Sequence, residues 1–294
     1  MKNSCVLVAL ALLLPFAALA QTSAPRYGSN PAAGHYFTHD GVKLYYEVYG
    51  SGEPLLLIHG NGGDIFTFSA QINYFRKNYR VIAMDSRDQG RSSDSPGKLT
   101  YEKMTDDLNA LLEHLNTGPV LVLGWSDGGI EALLLAIRHP DKVKKVASMA
   151  ANLDPGPDAV SPEVIDMVKS MLASVPLAER NTPEGRREMK VVQMMLDEPH
   201  IDLTALEAIK VPTLVLASDH DLIRDEHTLA IYHHIPNAQL AIFPDATHLI
   251  PYDDPARFNA TVERFFSARF VKKDRVADAM KSWEKLKAEE AQTQ

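Results

Sequence analysis

Cysteine is nearly absent from this chain of 294 residues, and the one that it has, Cys5, lies close to the N-terminus. A single thiol forms no disulfide within the chain and builds no thiolate metal cluster, so both kinds of site are excluded. An excess of positive charge is also missing, because 30 basic residues stand against 38 acidic ones and give a net charge of −8. Such a chain has no general attraction for nucleic-acid phosphates or anionic lipids.

Long apolar runs are scarce as well, and the longest stands at the start of the chain. Residues 6–20 are apolar throughout, follow a lysine and end in Ala-Leu-Ala before Gln21. The run is shorter than the ~20 residues of a membrane-spanning helix and contains Pro15. We therefore expect residues 1–20 to be a signal peptide that directs the chain to the periplasm or the medium, and 21–33 to be a flexible leader. Cleavage would also remove Cys5, which leaves no cysteine nucleophile.

Motifs for phosphate, dinucleotide and metal binding are missing too. Neither G-x-x-x-x-G-K-[ST] nor G-x-G-x-x-G occurs, and no H-E-x-x-H sequence is present. His227, His233 and His234 cluster on one predicted helix, but that helix is expected to lie at the surface, so a metal site there is not favoured. We therefore expect no cofactor and no metal, and a small molecule as the partner.

What the chain does have is a regular alternation of short apolar runs and helical patterns. This alternation predicts an α/β fold with a mostly parallel sheet and helices on both faces. Strands are predicted at 45–49, 55–58, 80–84, 120–124, 143–149, 213–217 and 239–243. Helices are predicted at 64–77, 101–115, 127–138, 226–235 and 254–267.

The alternation is interrupted at about residues 152–206, which begin with a loop rich in proline and glycine. Two helices are predicted inside it, at 161–174 and 184–196, so we interpret it as a small helical cap inserted into one domain spanning 34–270. Methionine is frequent in these helices and could line an adaptable pocket or only pack between them. The candidates for substrate contacts are Trp125, Met167, Met171 and Met194. Residues 271–294 form a tail with helical apolar spacing, which could dock on the body or pair two subunits.

One short motif indicates a catalytic residue, because it lies between a predicted strand and a predicted helix. Residues 124–128, Gly-Trp-Ser-Asp-Gly, match G-x-S-x-G between a predicted buried strand and a predicted helix. That context is typical of a nucleophile elbow, a sharp turn that presents the serine hydroxyl above the edge of the sheet. Ser126 is therefore the candidate nucleophile.

A serine nucleophile needs a base, and the base needs a carboxylate to orient it. His248 follows the last predicted strand and is the candidate base. Asp221 is the preferred acid, because it follows the strand at 213–217 by a few residues. Asp219 and Asp154 are the alternatives, with Asp219 favoured to shape its turn.

The oxyanion of an acyl-transfer reaction needs preorganised N–H donors. The glycine-rich run after the strand at 55–58 offers the backbone N–H of Asn61, and the residue after the nucleophile offers that of Asp127. The Asp127 carboxylate has two open interpretations. It could attract a substrate ammonium group, or it could simply be an acid favoured at the start of a helix.

At this point the chain resembles the α/β-hydrolase superfamily over residues 35–267. The shared landmarks are the His59-Gly60 pair, the loop 85–92, the elbow, and the acid and histidine loops, in the order Ser126, Asp221, His248. The usual family loop is D-x-R-G-x-G-x-S, and Asp88 replaces its first glycine. The elbow Gly-Trp-Ser-Asp-Gly-Gly is similar to that of biphenyl-hydrolase-like and valacyclovir-hydrolase-like serine esterases.

This resemblance implies ester cleavage through an acyl-enzyme, with no cofactor. A serine at position 126 argues against haloalkane dehalogenases and epoxide hydrolases, which share the fold but use an aspartate nucleophile. We therefore expect an exported serine esterase. A peptidase or amidase on the same triad, perhydrolase or lyase chemistry, and a receptor-like protein with slow turnover stay open, as does the oligomeric state.

Overall fold

The computed structural model describes residues 26–292. The signal peptide predicted at 1–20 and the first five residues of the predicted leader lie outside them. The described chain contains one sheet of eight strands in the spatial order β1-β2-β4-β3-β5-β6-β7-β8, in which β2 is antiparallel to both of its neighbours and the other pairs are parallel. The strands are β1 (Gly34–His39), β2 (Val42–Tyr49), β3 (Glu53–Ile58), β4 (Tyr79–Met84), β5 (Val120–Trp125), β6 (Val143–Met149), β7 (Thr213–His220) and β8 (Ala238–Thr247).

Helices connect most of these strands, and the predicted α/β class is confirmed. The helices are α1 (Ser69–Phe75), α2 (Tyr101–His114), α3 (Asp127–Arg138), α4 (Pro162–Ser174), α5 (Pro183–Asp197), α6 (Asp225–His234), α7 (Ile250–Asp253), α8 (Pro255–Ser267) and α9 (Arg275–Gln292), with 3₁₀ turns at Ile65–Phe68, Pro140–Lys142 and Leu203–Ala208. Each predicted strand and helix has a counterpart here. The sequence patterns missed β1, α7 and the 3₁₀ turns.

Both faces of the sheet are buried, which explains the unbroken apolar runs of its central strands. Along β3, Leu55 and Leu57 belong to the core under α1 and α8, whereas Leu56 and Ile58 belong to the core under α2 and α3. Successive side chains of a strand point to opposite faces, so one strand of apolar residues supplies both cores. The carboxyl ends of these strands are the edge where ligands bind in such sheets.

The cap is inserted between β6 and β7 and contains α4 and α5. Its first helix is tied to the loop after β7, where Val160 forms a β-bridge with Ile223 and the Ser161 N–H donates to the Leu222 carbonyl at 3.3 Å. The cap therefore starts beside the loop that carries the candidate acid.

The described half of the predicted leader, residues 26–33, is packed on the domain. The fully buried Glu47 carboxylate accepts hydrogen bonds from the N–H groups of Gly28 at 2.8 Å and Asn30 at 2.9 Å, and from two tyrosine hydroxyls. The ring of Tyr27 is buried as well. For these residues the expectation of a flexible leader is corrected, because a buried carboxylate needs such donors.

The predicted tail helix is α9. Its apolar side chains, spaced as in an amphipathic helix, are 48–73% exposed: Val276, Met280, Trp283 and Leu286. This face therefore does not pack on the body. Within residues 26–292, none of the helices has the length and apolarity that crossing a membrane requires.

Candidate active site

Ser126 occupies a strained turn between β5 and α3. Its φ of 58° and ψ of −120° put a residue with a side chain in a region that favours glycine. A Cβ at Gly124 would overlap the carbonyl of Gly128, and one at Gly128 would overlap the carbonyl of Ile58. The two glycines let the strand, the turn and the helix approach closely, which is the geometry of a nucleophile elbow.

His248 lies one residue beyond β8, and its ring is held by a carboxylate. Its Nδ1 is 2.7 Å from Oδ1 of Asp221, whose side chain is fully buried. The Asp221 carboxylate also accepts from the N–H groups of Ser218, Leu222 and Ile223 at 2.8–3.3 Å. Because an ionised carboxylate only accepts, Nδ1 carries the proton, and Nε2 is left to act as an acceptor.

The two alternative acids have other partners. Asp219 accepts from the N–H groups of Asp245 at 2.9 Å and Ala246 at 3.0 Å, and these bonds hold the pKa of its carboxyl below the usual range. It therefore shapes the loop that leads to His248. Asp154 accepts from the N–H of Gly156 at 2.8 Å within its own loop. Of the three candidate acids, Asp221 is the one that the structure brings into contact with the candidate base.

Trp125 contacts the candidate base and does not line the pocket described below. Its indole Nε1–H donates to the carbonyl oxygen of His248 at 2.9 Å, and the two ring centroids are 5.6 Å apart. The indole therefore helps to fix the position of the histidine, and a direct substrate contact of Trp125 stays a prediction.

The predicted oxyanion donors are free to act as such. In the part of the chain that the structure describes, neither the backbone N–H of Asn61 nor that of Asp127 has an acceptor. The loop before Asn61 is braced by His59, whose Nδ1 donates to the carbonyl of Gly60 at 2.8 Å and whose Nε2 accepts from the N–H of Ser86 at 3.0 Å. Burial lowers the pKa of His59, so the ring is neutral and keeps this tautomer.

The Asp127 carboxylate is almost completely buried and already has two donors. Asn61 Nδ2 and the Tyr101 hydroxyl each donate to it at 2.8 Å. Burial raises the pKa of this carboxyl, and the two donors oppose that rise. The side chain therefore links the elbow to the loop that carries Asn61, a role that neither interpretation of the sequence included.

A small cavity of about 70 Å³ joins the candidate nucleophile and base. Its apolar walls come from the cap and from the loop after β7. Its lining residues are Tyr101, Ser126, Asp127, Asn152, Pro155, Val160, Val164, Ile165, Val168, Met195, Leu196, Leu222, Ile223 and His248. A serine hydroxyl, an imidazole and an apolar wall thus line one pocket.

The three methionines predicted to line this space do not. Met167 and Met171 are 46% and 45% exposed on the outer side of α4, and Met194 is buried in the core under the sheet. That expectation is corrected: Met195 and three aliphatic residues of α4 line the cavity instead. Adjacent positions on a helix differ by about 100° in direction, so composition alone could not select among them.

A second cleft lies away from this site. A larger cleft of about 860 Å³ runs between β8, α8 and residues 268–275, and it contains none of the candidate residues. Residues 26–292 contain no group of three or more His, Cys, Asp or Glu side chains that could hold a metal ion.

Sequence reasoning missed the side chains that fasten the oxyanion loop. Tyr101 begins α2, which gave no signal of a role at the site. Gln89 accepts from the N–H of Gly62 at 2.7 Å. Its position in the 85–92 loop was the one sequence feature that pointed to a role at the site. These contacts join segments distant in sequence, which motif spacing does not encode.

The chain is similar in sequence to known proteins. The α/β hydrolase fold family matches residues 53–188. The uncharacterized hydrolase YraK of Bacillus subtilis is 37% identical over 105 residues, which cover 35% of this chain and only 39% of that protein. Serine hydrolase BPHL of Mus musculus is 28% identical over 248 residues, covering 77% of this chain and 84% of that protein.

Solved structures show the same fold. A hydrolase from Pseudomonas aeruginosa PA01 has a TM-score of 0.68 and 25% identity, over 81% of this chain and 100% of that one. Its name and those of the two sequence relatives all describe hydrolases. The chain therefore has the α/β-hydrolase fold, and it is similar to proteins named as hydrolases.

Proposed function

We propose that this protein hydrolyses carboxylic esters through an acyl-enzyme. The observation that carries the proposal is the geometry around one cavity, where the strained Ser126 faces the same space as a histidine hydrogen-bonded to the buried Asp221. The similarity to a protein named serine hydrolase supports the same chemistry.

In the first half of the reaction, the Ser126 hydroxyl attacks the ester carbonyl carbon while His248 Nε2 accepts its proton. Asp221 stabilises the imidazolium that forms. The carbonyl oxygen gains negative charge and accepts hydrogen bonds from the N–H groups of Asn61 and Asp127. The positive N-terminus of α3 adds to the same field.

Collapse of this tetrahedral intermediate expels the alkoxide, and His248 gives it the proton. Water then attacks the acyl-enzyme carbonyl with His248 as general base, and the second collapse releases the acid and the free serine. Each proton moves between Ser126, His248, water and the leaving group, so the balance needs no other reactant.

The cavity also limits the substrate. Its small volume and its walls of Val164, Ile165 and Val168 favour a short apolar group on one side of the ester. The Asp127 carboxylate lies at the same cavity, but Asn61 and Tyr101 already donate to it. We therefore expect neutral short-chain esters to be substrates.

The test is a panel of aryl and alkyl esters of increasing acyl length, set beside amino-acid esters and amides, with Ser126→Ala as control. We expect turnover of short-chain esters that the control lacks. Amide turnover equal to ester turnover would favour a peptidase or amidase. Binding of esters with negligible turnover would favour a receptor-like protein.

We also propose that the protein is exported. The support is the sequence pattern of residues 1–20, a lysine followed by an apolar run and a small-x-small site. Expression of the full chain should yield protein that begins at Gln21 in the periplasm or medium, as measured by intact mass. Full-length protein that stays in the cytoplasm would contradict export.

A further inference from the structure

Asp88 occupies a backbone position that favours glycine. It lies in the loop 85–92 with a φ of 63°, a left-handed conformation that L side chains adopt at an energetic cost. Glycine would adopt it freely, and the similar family loop has glycine there. Aspartate tolerates this conformation better than most L residues, and at this position its side chain makes contacts that glycine would lack.

The Asp88 carboxylate is fully buried and meets a cation from the cap. Its Oδ1 accepts from Lys190 Nζ at 2.6 Å and from the N–H of Ser95 at 3.0 Å, and its Oδ2 accepts from the Ser95 hydroxyl. Lys190 Nζ also donates to the Ser95 carbonyl at 2.6 Å. Charge-assisted hydrogen bonds to a buried carboxylate are short and directional, so they constrain the geometry of both partners.

Lys190 belongs to α5, and the next residue of that helix touches the candidate oxyanion loop. The carbonyl oxygen of Val191 accepts from Asn61 Nδ2 at 3.0 Å, and the same Nδ2 donates to Asp127 at 2.8 Å. The backbone N–H of Asn61 is the proposed oxyanion donor. A shift of α5 would therefore be felt at that donor.

The loop of Asp88 holds the same segment from its other side. Gln89, the neighbour of Asp88, accepts from the N–H of Gly62 at 2.7 Å. Two contacts thus reach adjacent residues of the oxyanion loop, one through Gln89 and one through Val191. The ion pair links these two contacts, because Asp88 precedes Gln89 in the loop and Lys190 precedes Val191 in α5.

We propose that the ion pair of the buried Asp88 with Lys190 positions the oxyanion loop by fixing α5 against the loop 85–92. Both are positioning residues, since neither lines the cavity beside Ser126. The inference rests on the proposed ester hydrolysis for its kinetic consequence, whereas its structural consequence is independent of the substrate.

The test is a double-mutant cycle of Asp88→Gly and Lys190→Met. Glycine relieves the left-handed backbone, so Asp88→Gly removes the pair without adding strain. We expect each variant to lower kcat about tenfold with little change in KM, and the double variant to be no worse than the poorer single one. A kcat within twofold of wild type, or losses that multiply in the double variant, would overturn the proposal.

Arg187→Met is the matched control. Arg187 lies on the same helix, pairs with Asp94 at 3.2 Å and donates to the carbonyl of Ser92 at the end of the loop 85–92. Asp94 is half exposed, and Arg187 has no contact with the oxyanion loop or with Gln89. We expect it to keep wild-type kcat. A tenfold loss there would show that any weakening of the α5 surface has this effect, which contradicts a specific role for the Asp88–Lys190 pair.

Hydrogen exchange separates this proposal from the proposed function. In Asp88→Gly and Lys190→Met, amides of residues 60–63 and of α5 should exchange faster than in wild type and in Arg187→Met. If the wild-type chain turns over no ester, hydrolysis fails while exchange still decides the positioning claim. Unchanged exchange at residues 60–63 in both variants would overturn that claim.

Discussion

The two helices of the cap have similar apolar spacing but are attached to the sheet domain very differently. Along α5, Lys190 pairs with the buried Asp88, and the carbonyl of Val191 accepts from Asn61. Just beyond its end, Glu198 pairs with Lys98 at 2.9 Å. In α4, by contrast, Val168 is the buried residue, and two large methionines point outward.

The two helices therefore form two different walls of the cavity. We call α5 the fixed wall, because polar contacts join it to the sheet domain, and α4 the thin wall, because it has few buried residues. The fixed wall, α5, borders the oxyanion loop, where geometry decides how well charge is stabilised. The thin wall, α4, is tied at its start to the loop after Asp221 and supplies aliphatic side chains to the cavity. We expect substrate to enter by displacement of α4, because fewer buried contacts oppose its movement.

The largest effect is expected where the start of α4 meets the candidate triad. Asp221→Asn removes the negative charge beside His248. It also replaces one of the carboxylate oxygens that accept hydrogen bonds from the loop after β7, which contacts Ser161 at the start of α4. We therefore expect kcat/KM for a short ester to fall about 10⁴-fold. Asp219→Asn, the control, weakens the turn before His248 and should cost about tenfold or less. A larger loss for Asp219→Asn would reassign the orienting acid.

The two walls can be compared directly by methionine truncation. Met194 on α5 is 1% exposed, whereas Met171 on α4 is 45% exposed. Met194→Ala should lower the free energy of unfolding by about 2–5 kcal/mol through the cavity it leaves. Met171→Ala should change it by less than about 0.5 kcal/mol. Equal losses in urea denaturation would refute the difference between the walls.

A buried carboxyl group on α3 makes the stability of the protein depend on pH. Glu131, one turn after Asp127 on α3, is fully buried, and neither of its carboxylate oxygens has a partner among the described residues. Burial, with the charges of Asp127 and Asp107, raises the pKa of Glu131 well above its usual range. Since the folded pKa exceeds the unfolded one, stability is lost as the pH rises above the unfolded value toward the folded one.

Glu131→Met should therefore raise the free energy of unfolding at pH 8 by about 1–3 kcal/mol, and by less at pH 4.5. Urea denaturation at the two pH values measures the difference. Glu131→Gln is the control that removes the charge but keeps a polar group, so it should gain less than the methionine variant. A gain that is independent of pH would show that the charge of Glu131 is not the cause.

The smallest effect concerns the thin wall and the acyl chain. Ile165→Ala enlarges the cavity, so the ratio of kcat/KM for esters with an acyl chain two carbons longer should rise up to about tenfold. Met167→Ala, on the outer side of the same helix, should leave the ratio unchanged. A shift caused by Met167→Ala would mean that the outward methionines contact substrate after α4 moves.

The central sheet could be predicted because strands that are buried on both faces consist of short apolar runs, as in β3 and β5. It missed β1, whose sequence Gly-His-Tyr-Phe-Thr-His has no such run. The packing of residues 26–33 was also missed, since their Pro, Gly and Asn content suggested a loop. The donors that they offer to Glu47 depend on tertiary contacts.

At the site, Ser126, Asp221 and His248 were predicted together because strand ends deliver their side chains to one edge of the sheet. The structure brings His248 into contact with Asp221 and places Ser126 and His248 at one pocket. The roles of Asp88, Tyr101 and Met195 were not readable. Each acts across contacts between distant segments, and helical periodicity cannot distinguish Met194 from Met195 as the residue that faces the cavity. The fine structure of the site therefore came from packing, not from motifs.

The assignment of Ser126 as the nucleophile is tested most directly by reaction of the purified protein with a fluorophosphonate, followed by intact-mass measurement and peptide mapping. We expect one adduct per chain, located on Ser126, and none in Ser126→Ala. Labelling should also become much slower in His248→Ala, which lacks the base. An adduct on another residue, or equal labelling of Ser126→Ala, would contradict the proposed mechanism.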